Sequence, residues 1–295
     1  MIFEPFCGAG GMGTGFSRFF PISLAVDVKR AAVRTYSANH PGVRVLQADV
    51  RDLSGCLRDF EGIIGVIGGP PCQPWSRLNL RRKARDPREE LMGEFMRLVG
   101  EIRPRFWVLE NVPTVPGDRR ESVLLQGRRL GYRVHSVRLD AADYGAAQHR
   151  RRWIAVGTTR RAWAPPRTRA PRTVREAFAT LRRNWGMMRS SPEILSRLSR
   201  TIPHRWISLT GGFKNAIRLV WDEPSPTVVN LKKVYMVHPS EDRNISLAEA
   251  AALQGFPPEY LWCGTESEVA QLIADAMPVE LAEAIAETLV EEVRG

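Results

Sequence analysis

Cys72 is set in the run Gly68-Gly69-Pro70-Pro71-Cys72-Gln73-Pro74-Trp75-Ser76, a cysteine held between prolines just past the apolar stretch Gly62-Ile63-Ile64-Gly65-Val66-Ile67. Proline fixes φ and removes a hydrogen-bond donor, so the run continues neither a ladder nor a helix and presents the cysteine on a stiff loop. The thiolate is the nucleophilic form of cysteine, and a rigid loop at a strand's carboxyl end can hold it at one angle to a ligand. The same residue would also serve as a small buried apolar side chain, as most free cysteines do. The other cysteines, Cys7, Cys56 and Cys263, form no CxxC pair and have no partnering histidines, so neither a zinc site nor a disulfide framework is indicated.

A second group with chemical potential is Glu110, delivered by the apolar run Phe106-Trp107-Val108-Leu109 to the same edge as the Cys72 loop. There it could do general acid work or simply cap the next turn. Arg150 and Arg152 sit at alternate positions at the start of another strand, Trp153 to Gly157. Sharing one face, they suit carbonyl or phosphate recognition. Nearer the amino terminus, Cys7-Gly8-Ala9-Gly10-Gly11-Met12-Gly13-Thr14-Gly15-Phe16 is a glycine-rich turn into a helix, the kind that lets a ligand approach the backbone. The strands Ile22 to Val26 and Val43 to Gln47 then run into Asp27 and Asp49. Either aspartate could be a turn residue, but two acids past successive strands after a glycine turn favour a nucleoside-type cofactor.

The elements that must position these residues alternate between strand and helix. Ile2 to Phe6 reads as the first strand, with Pro5 a blemish in it. A helix is expected from about Arg30 to Asn39, another along the face Leu91, Phe95, Leu98, Val99 and Ile102, and one from Leu124 to Leu130. Tyr132 to Leu139 alternates as a half-buried strand does, and Pro278 to Val293 reads as a terminal helix with Leu281, Ile285 and Leu289 on one face. Arg77 to Arg88 reads as a basic loop able to meet phosphates.

Charge is concentrated in one place. Between Arg160 and Arg218 there are 14 Arg and Lys against two acids, a local balance of +12 in a chain of net charge +11. A basic segment in an otherwise near-neutral chain of 295 residues points to a polyanion such as nucleic acid, or else to a solvated arginine-rich surface. No apolar run has the length of a membrane span and no signal pattern opens the sequence, so a cytoplasmic protein is expected.

In their order the pieces resemble the cytosine-C5 DNA methyltransferase family over nearly the whole chain outside the basic segment. Phe6-Cys7-Gly8-Ala9-Gly10-Gly11 is similar to its cofactor motif, Pro71-Cys72-Gln73 to its nucleophile motif, Glu110-Asn111-Val112 to its acid motif and Gln148-His149-Arg150-Arg151-Arg152 to its Gln-x-Arg-x-Arg motif. Glu223-Pro224-Ser225-Pro226-Thr227 and Arg243 to Pro257 resemble the late motifs.

The resemblance implies a Rossmann-like S-adenosylmethionine-dependent methyltransferase fold, an α/β protein with a mostly parallel seven-stranded sheet, helices on both faces, and a small target-recognition domain. It implies a catalytic domain of residues 1–164 and 274–295 and a small domain of 165–273, with target recognition in about 165–219. S-Adenosylmethionine would be the cofactor, with no metal, and double-stranded DNA the substrate. Cys72 would add to C6 of a cytosine flipped from the helix, Glu110 would act at N3, Arg152 would hold O2, and Arg150 would support the loop or phosphates. Phe6, Gly8, Gly10, Gly11, Asp27, Val28, Asp49, Pro71, Leu91 and Asp275 would line the cofactor site: Phe6 against adenine, Asp27 on the ribose and Asp49 on the adenine amino group. A monomer with a restriction endonuclease as functional partner is the corresponding expectation. The alternatives are a tRNA cytosine-5 methyltransferase, whose branch-specific Cys-Phe-Thr pattern is absent here, and a DNA-binding homologue with impaired or altered cofactor use.

Three departures stand out. The acid and leucine that usually precede the family's Phe stand here as Glu4-Pro5, with proline in the leucine's place, which could distort the first strand. Ala274-Asp275-Ala276-Met277-Pro278 stands for Gly-Asn-Ala-Val-Pro, placing a carboxylate where an amide is expected near the donor's amino-acid end. The recognition region is short, which suits a small DNA footprint or loose specificity.

Overall fold

Short apolar runs, several of them closed by glycine, proline or an acid, become the strands of a seven-stranded sheet. The computed structural model describes residues 1–53, 62–71, 90–187, 191–208 and 215–294. The strands of the first unit are β1 (Ile2–Pro5), β2 (Ile22–Asp27), β3 (Arg44–Gln47), β4 (Gly65–Gly68), β5 (Phe106–Asn111), β6 (Arg133–Asp140) and β7 (Arg151–Thr158). They form a seven-stranded sheet in the order β3-β2-β1-β4-β5-β7-β6. β1 to β5 are parallel, and β7 runs antiparallel to both β5 and β6. The strand order reverses between β1 and β4, and open α/β sheets of this kind bind ligands beyond the carboxyl ends of the strands at that switch point.

Pro5 closes β1 without breaking it. It pairs with Val26 of β2, whereas pairing with β4 ends at Phe3 opposite Val66, and the register slips between Ile2 and Phe3. Proline is tolerated at such a strand end because one missing donor removes little of the ladder.

Side chains alternate across the sheet, and the helices divide accordingly. Phe3, Leu24, Val26, Val66, Trp107 and Leu109 pack with Leu91, Phe95, Leu98 and Val99 of α3 (Leu91–Ile102), whereas Ala25, from the opposite side of β2, packs with Tyr36 of α2 (Arg30–Asn39). α1 (Gly11–Phe16) follows the glycine turn and α4 (Gly117–Arg129) precedes β6. The chain's last segment, from Ala282 on, also belongs to this unit. Glu292 fixes it to the end of β7 by accepting from the backbone amides of Thr159, Arg160 and Arg161, while the Trp163 indole donates to Thr288 Oγ1 at 2.8 Å.

The second unit comprises Ala141–Arg150 and Thr168–Leu281. It holds a three-stranded sheet, β10-β9-β8, built from β8 (Ile207–Ser208), β9 (Asn215–Arg218) and β10 (Tyr235–Val237). Around it lie α5 (Val174–Ala179), α6 (Pro192–Leu198), α7 (Leu247–Leu253), α8 (Glu266–Asp275) and the start of α9 (Val279–Val293). Capping boxes Thr173/Glu176, Ser246/Glu249 and Thr265/Glu268 set the starts of α5, α7 and α8, each satisfying orphan amides of a first turn. Arg218 is a hub: its guanidinium donates to the carbonyls of Leu198, Thr201 and His238 and pairs with Asp242 at 2.6 Å.

No helix among the described residues is long and apolar enough to cross a membrane.

Candidate active site

The end of β5 carries the site's best-defined ion pair. Glu110, the strand's penultimate residue, meets Arg152 of the neighbouring β7, with Arg152 Nε 2.5 Å from Glu110 Oε1. Their side chains are only 12% and 10% exposed, so the contact is held in a largely desolvated place where a fork-shaped guanidinium keeps a carboxylate in one orientation. Pairing across the sheet sets Glu110 opposite Ile154, which brings the start of β7 past the end of β5.

The loop leading to the candidate nucleophile meets the same strand end. Asn111 donates from Nδ2 to the carbonyl oxygen of Pro70 at 3.1 Å. A Cβ on Gly69 would lie 2.7 Å from Glu110 Oε2, so only glycine lets the loop run this close to the carboxylate. Gly68 is under the same constraint, because a Cβ there would lie 2.5 Å from the Pro5 carbonyl oxygen. Pro71 is partly buried, and Cys72, with the basic loop expected over Arg77 to Arg88, lies outside the described residues.

Within the second unit, the other members of the Gln-x-Arg-x-Arg run are held by backbone. Gln148 donates to the Leu253 carbonyl at 2.8 Å and to Gln254 Oε1, and accepts from the Val228 amide. Arg150, 2% exposed, donates to the carbonyls of Val228 (2.9 Å) and Ala274 (2.6 Å). β7 begins at Arg151, so Arg150 precedes the strand that carries Arg152. The late motif is also built into the scaffold: Arg243 makes two 2.8 Å bonds to Glu249, which in turn holds the cap of α7.

All but one of the expected cofactor residues belong to the first unit, most of them at or just past its strand ends. Phe6, half-buried, has φ 61°, Gly8 φ 53° and Gly10 φ 89°, so the turn into α1 takes three left-handed steps. Phe6 is the strained one, since a β-carbon disfavours that region. Asp27 fixes the turn, accepting from the Gly8 amide at Oδ2 (3.0 Å) and from the Lys29 amide at Oδ1 (2.8 Å). Beside it Val28 is 61% exposed, and a Cβ on Gly8 would meet nothing within 4 Å, so backbone, acid and an apolar side chain border open space. Gly11 opens α1 and is buried.

Asp49 accepts from Arg51 at three points, the backbone amide, Nε at 2.9 Å and Nη2 at 2.6 Å. That bonding holds its carboxyl below the usual carboxylate range. Leu91 is 9% exposed within the main core cluster. The exception is Asp275, in the second unit at the end of α8, where it accepts from Gln271 Nε2 at 2.6 Å.

Cys7 is buried, and desolvation together with the carboxyl groups of Asp27 and Glu4 pushes its thiol well above the ordinary range, which makes it an inert packing residue. Among the described residues no group of three or more His, Cys, Asp or Glu could hold a metal ion. Asn111 and Gly69, which the sequence offers only as members of the acid motif and of the proline run, take their roles from contacts with Pro70 and Glu110; an amide directly after the strand-end acid and a glycine directly before the proline loop are the signals for them.

A mostly parallel seven-stranded sheet, with a glycine turn after β1 and an acid at the end of β2, defines a Rossmann-like α/β fold. The model of the family described as C-5 cytosine-specific DNA methylase matches residues 1–173 and 164–291. The Type II methyltransferase M1.HphI of Haemophilus parahaemolyticus is 33% identical over 317 residues, covering 96% of this chain and 85% of that protein. The Type II methyltransferase M.FnuDI of Fusobacterium nucleatum is 27% identical, covering 97% and 93%. Among solved structures, a candidate DNA modification methyltransferase encoded in an E. coli prophage shares the fold with a TM-score of 0.83, at 23% identity over 100% of this chain and 99% of that one. The chain belongs to the C-5 cytosine-specific DNA methylase family, and its enzyme class is DNA cytosine-C5 methyltransferase.

Proposed function

We propose that this protein methylates C5 of a cytosine turned out of duplex DNA, with S-adenosylmethionine as the donor and Cys72 as a transient covalent nucleophile. The observation that carries the reading is the convergence at the end of β5: Glu110 paired to Arg152, beside Gly69 and beneath a loop that Asn111 anchors two residues before Cys72.

C5 of cytosine is a poor nucleophile within an aromatic ring. A thiolate from Cys72 adding to C6 breaks that aromaticity and makes C5 electron-rich. Glu110 hydrogen-bonds or protonates N3 and so drains the charge that the addition places on the ring. Arg152 orients Glu110 and offers its remaining N–H groups to the cytosine O2. Arg150 holds the backbone of Val228 and Ala274, which steadies the segment carrying the late motifs. After transfer, a base takes the C5 proton, the ring regains aromaticity, and the Cys72 thiolate leaves. Unstacking the cytosine costs a few kcal/mol, which contacts from the recognition segment offset.

S-Adenosylmethionine, when bound, supplies the electrophilic methyl group. The residues fit it: open space above Gly8, the Asp27 carboxylate at the ribose position and exposed Val28 beside it suit a nucleoside. Arg182, Arg183, Arg200 and Arg205 are exposed and pair with no acid among the described residues, which suits them to DNA phosphates. We infer a monomer acting on double-stranded DNA, with a restriction endonuclease as its functional counterpart.

The test is to incubate unmethylated duplex DNA with the protein and labelled S-adenosylmethionine and to identify the product base by mass spectrometry. The expected product is 5-methylcytosine, absent with Cys72→Ser. N4-methylcytosine or N6-methyladenine would overturn the mechanism, since neither needs a thiol adduct.

A further inference from the structure

Glu4 takes no part in the chemistry above, yet it is a carboxyl group buried to 1% exposure directly beneath the glycine turn. Its Oε1 accepts from the Gly13 amide at 3.1 Å, and its Oε2 is 2.7 Å from the Tyr36 hydroxyl. A Cβ on Gly13 would lie 2.4 Å from Glu4 Oε2 and 2.5 Å from the Tyr36 oxygen, so the first turn of α1 sits directly on this pair. Tyr36 stacks on His40 with ring centroids 4.3 Å apart, and His40 Nε2 is 3.4 Å from Thr14 Oγ1. The result is a closed ring, from Gly13 through Glu4, Tyr36 and His40 back to Thr14, that ties α1 to α2 under the left-handed turn of Phe6, Gly8 and Gly10.

We propose that Glu4, held by Tyr36, is a positioning residue for the methyl donor, and that it acts as the neutral acid, seating α1 and through it the backbone of the Phe6–Gly11 turn. This rests on the reading that S-adenosylmethionine binds at that turn.

The surroundings favour the neutral form. Among the described residues, the groups acting on the carboxyl are Tyr36 from α2, the Gly13 amide from α1 and the Asp27 carboxylate at the end of β2, and none is basic. Burial raises Glu4 to about 8, against the opposing hydrogen bonds from Tyr36 and Gly13, with Asp27 adding to the rise. Cys7, on the same strand end, is held as the neutral thiol, and burial lowers His40 to about 4, so neither brings a countercharge at neutral pH. Ionising Glu4 places an uncompensated charge under α1, and admitting water to it displaces the turn.

The experiment measures S-adenosylmethionine affinity calorimetrically from pH 6.5 to 9 for the full chain and for Glu4→Gln, which preserves shape and cannot ionise. The donor's own amino group titrates in this range, so the quantity read is the ratio of the wild-type to the Glu4→Gln dissociation constant at each pH. We expect the ratio to be near one at pH 6.5 and to reach about tenfold at pH 9, where only about a tenth of the wild type keeps its Glu4 proton. A flat ratio with both proteins binding donor assigns Glu4 a packing role only and overturns the proposal. Failure of the wild type to bind donor at any pH overturns the functional reading and the inference with it. Should Glu4→Gln not fold, Tyr36→Phe serves: losing a bond that favours the charged form should move the wild-type profile to higher pH, and an unmoved profile contradicts the proposal.

Discussion

The side-chain amide of Asn111 donates to the backbone carbonyl of Pro70 at 3.1 Å, joining the end of β5 to the loop that leads to Cys72. Both of its polar atoms are engaged, since Oδ1 accepts from the Val112 amide at 2.8 Å. Asn111→Asp keeps the acceptor and removes the donor, setting a carboxylate against a carbonyl oxygen. Misplacing a nucleophile by even 1 Å can lower its rate about a hundredfold, so kcat should fall roughly tenfold to hundredfold. Donor affinity should stay within about twofold. Single-turnover methylation and equilibrium donor binding measured on the same preparation check both halves.

Arg152→Lys keeps the charge beside Glu110 but loses the planar fork. Removing one donor of a site that stabilises developing charge costs about a hundredfold to a thousandfold in kcat, and a comparable loss is expected here. DNA binding at low salt should be nearly unchanged, as read by gel shift, because Arg152 is 8% exposed and is not one of the surface arginines.

Stability should depend on pH through Glu4. Its folded value of about 8 lies above its ordinary 4.5, so between these values the folded chain keeps a proton that the unfolded chain loses, and stability falls as pH rises. His40 acts in the opposite sense, but only between about 4 and 6.5, which leaves Glu4 as the one of the two that acts from pH 6.5 to 8. Over that window Glu4 alone should cost on the order of 2 kcal/mol, opposed near the upper end by the Met1 amino group, which burial lowers, and Glu4→Gln should remove the Glu4 share. Chemical denaturation at several pH values measures this directly.

Much of this arrangement could be read from the sequence because apolar runs ended in acids. Asp27 closes β2, Glu110 is the penultimate residue of β5, and Asp49 follows β3 by two residues, a pattern that needs only local spacing. Partners far apart in the chain, and elements without an apolar repeat, leave no such local mark. Glu4 and Tyr36, 32 positions apart, meet only through tertiary packing. α4 starts at Gly117, well before the expected Leu124, because its first turns are charged residues that show no apolar repeat. The charge count also overstated the free positive surface. Arg172, Arg175, Arg197 and Arg218 are paired with Glu280, Asp222, Glu193 and Asp242, so part of the +12 segment neutralises acids within its own unit.

In the proposed reaction the Cys72 sulfur bonds transiently to C6 of the target cytosine. Duplex DNA containing 5-fluorocytosine blocks the final proton removal, so the adduct should persist. With S-adenosylmethionine present, a pool of such duplexes should become attached to the wild-type protein in a complex that survives denaturing electrophoresis, and Cys72→Ser should give none. Wild-type protein that methylates ordinary DNA but never forms this complex would contradict the account.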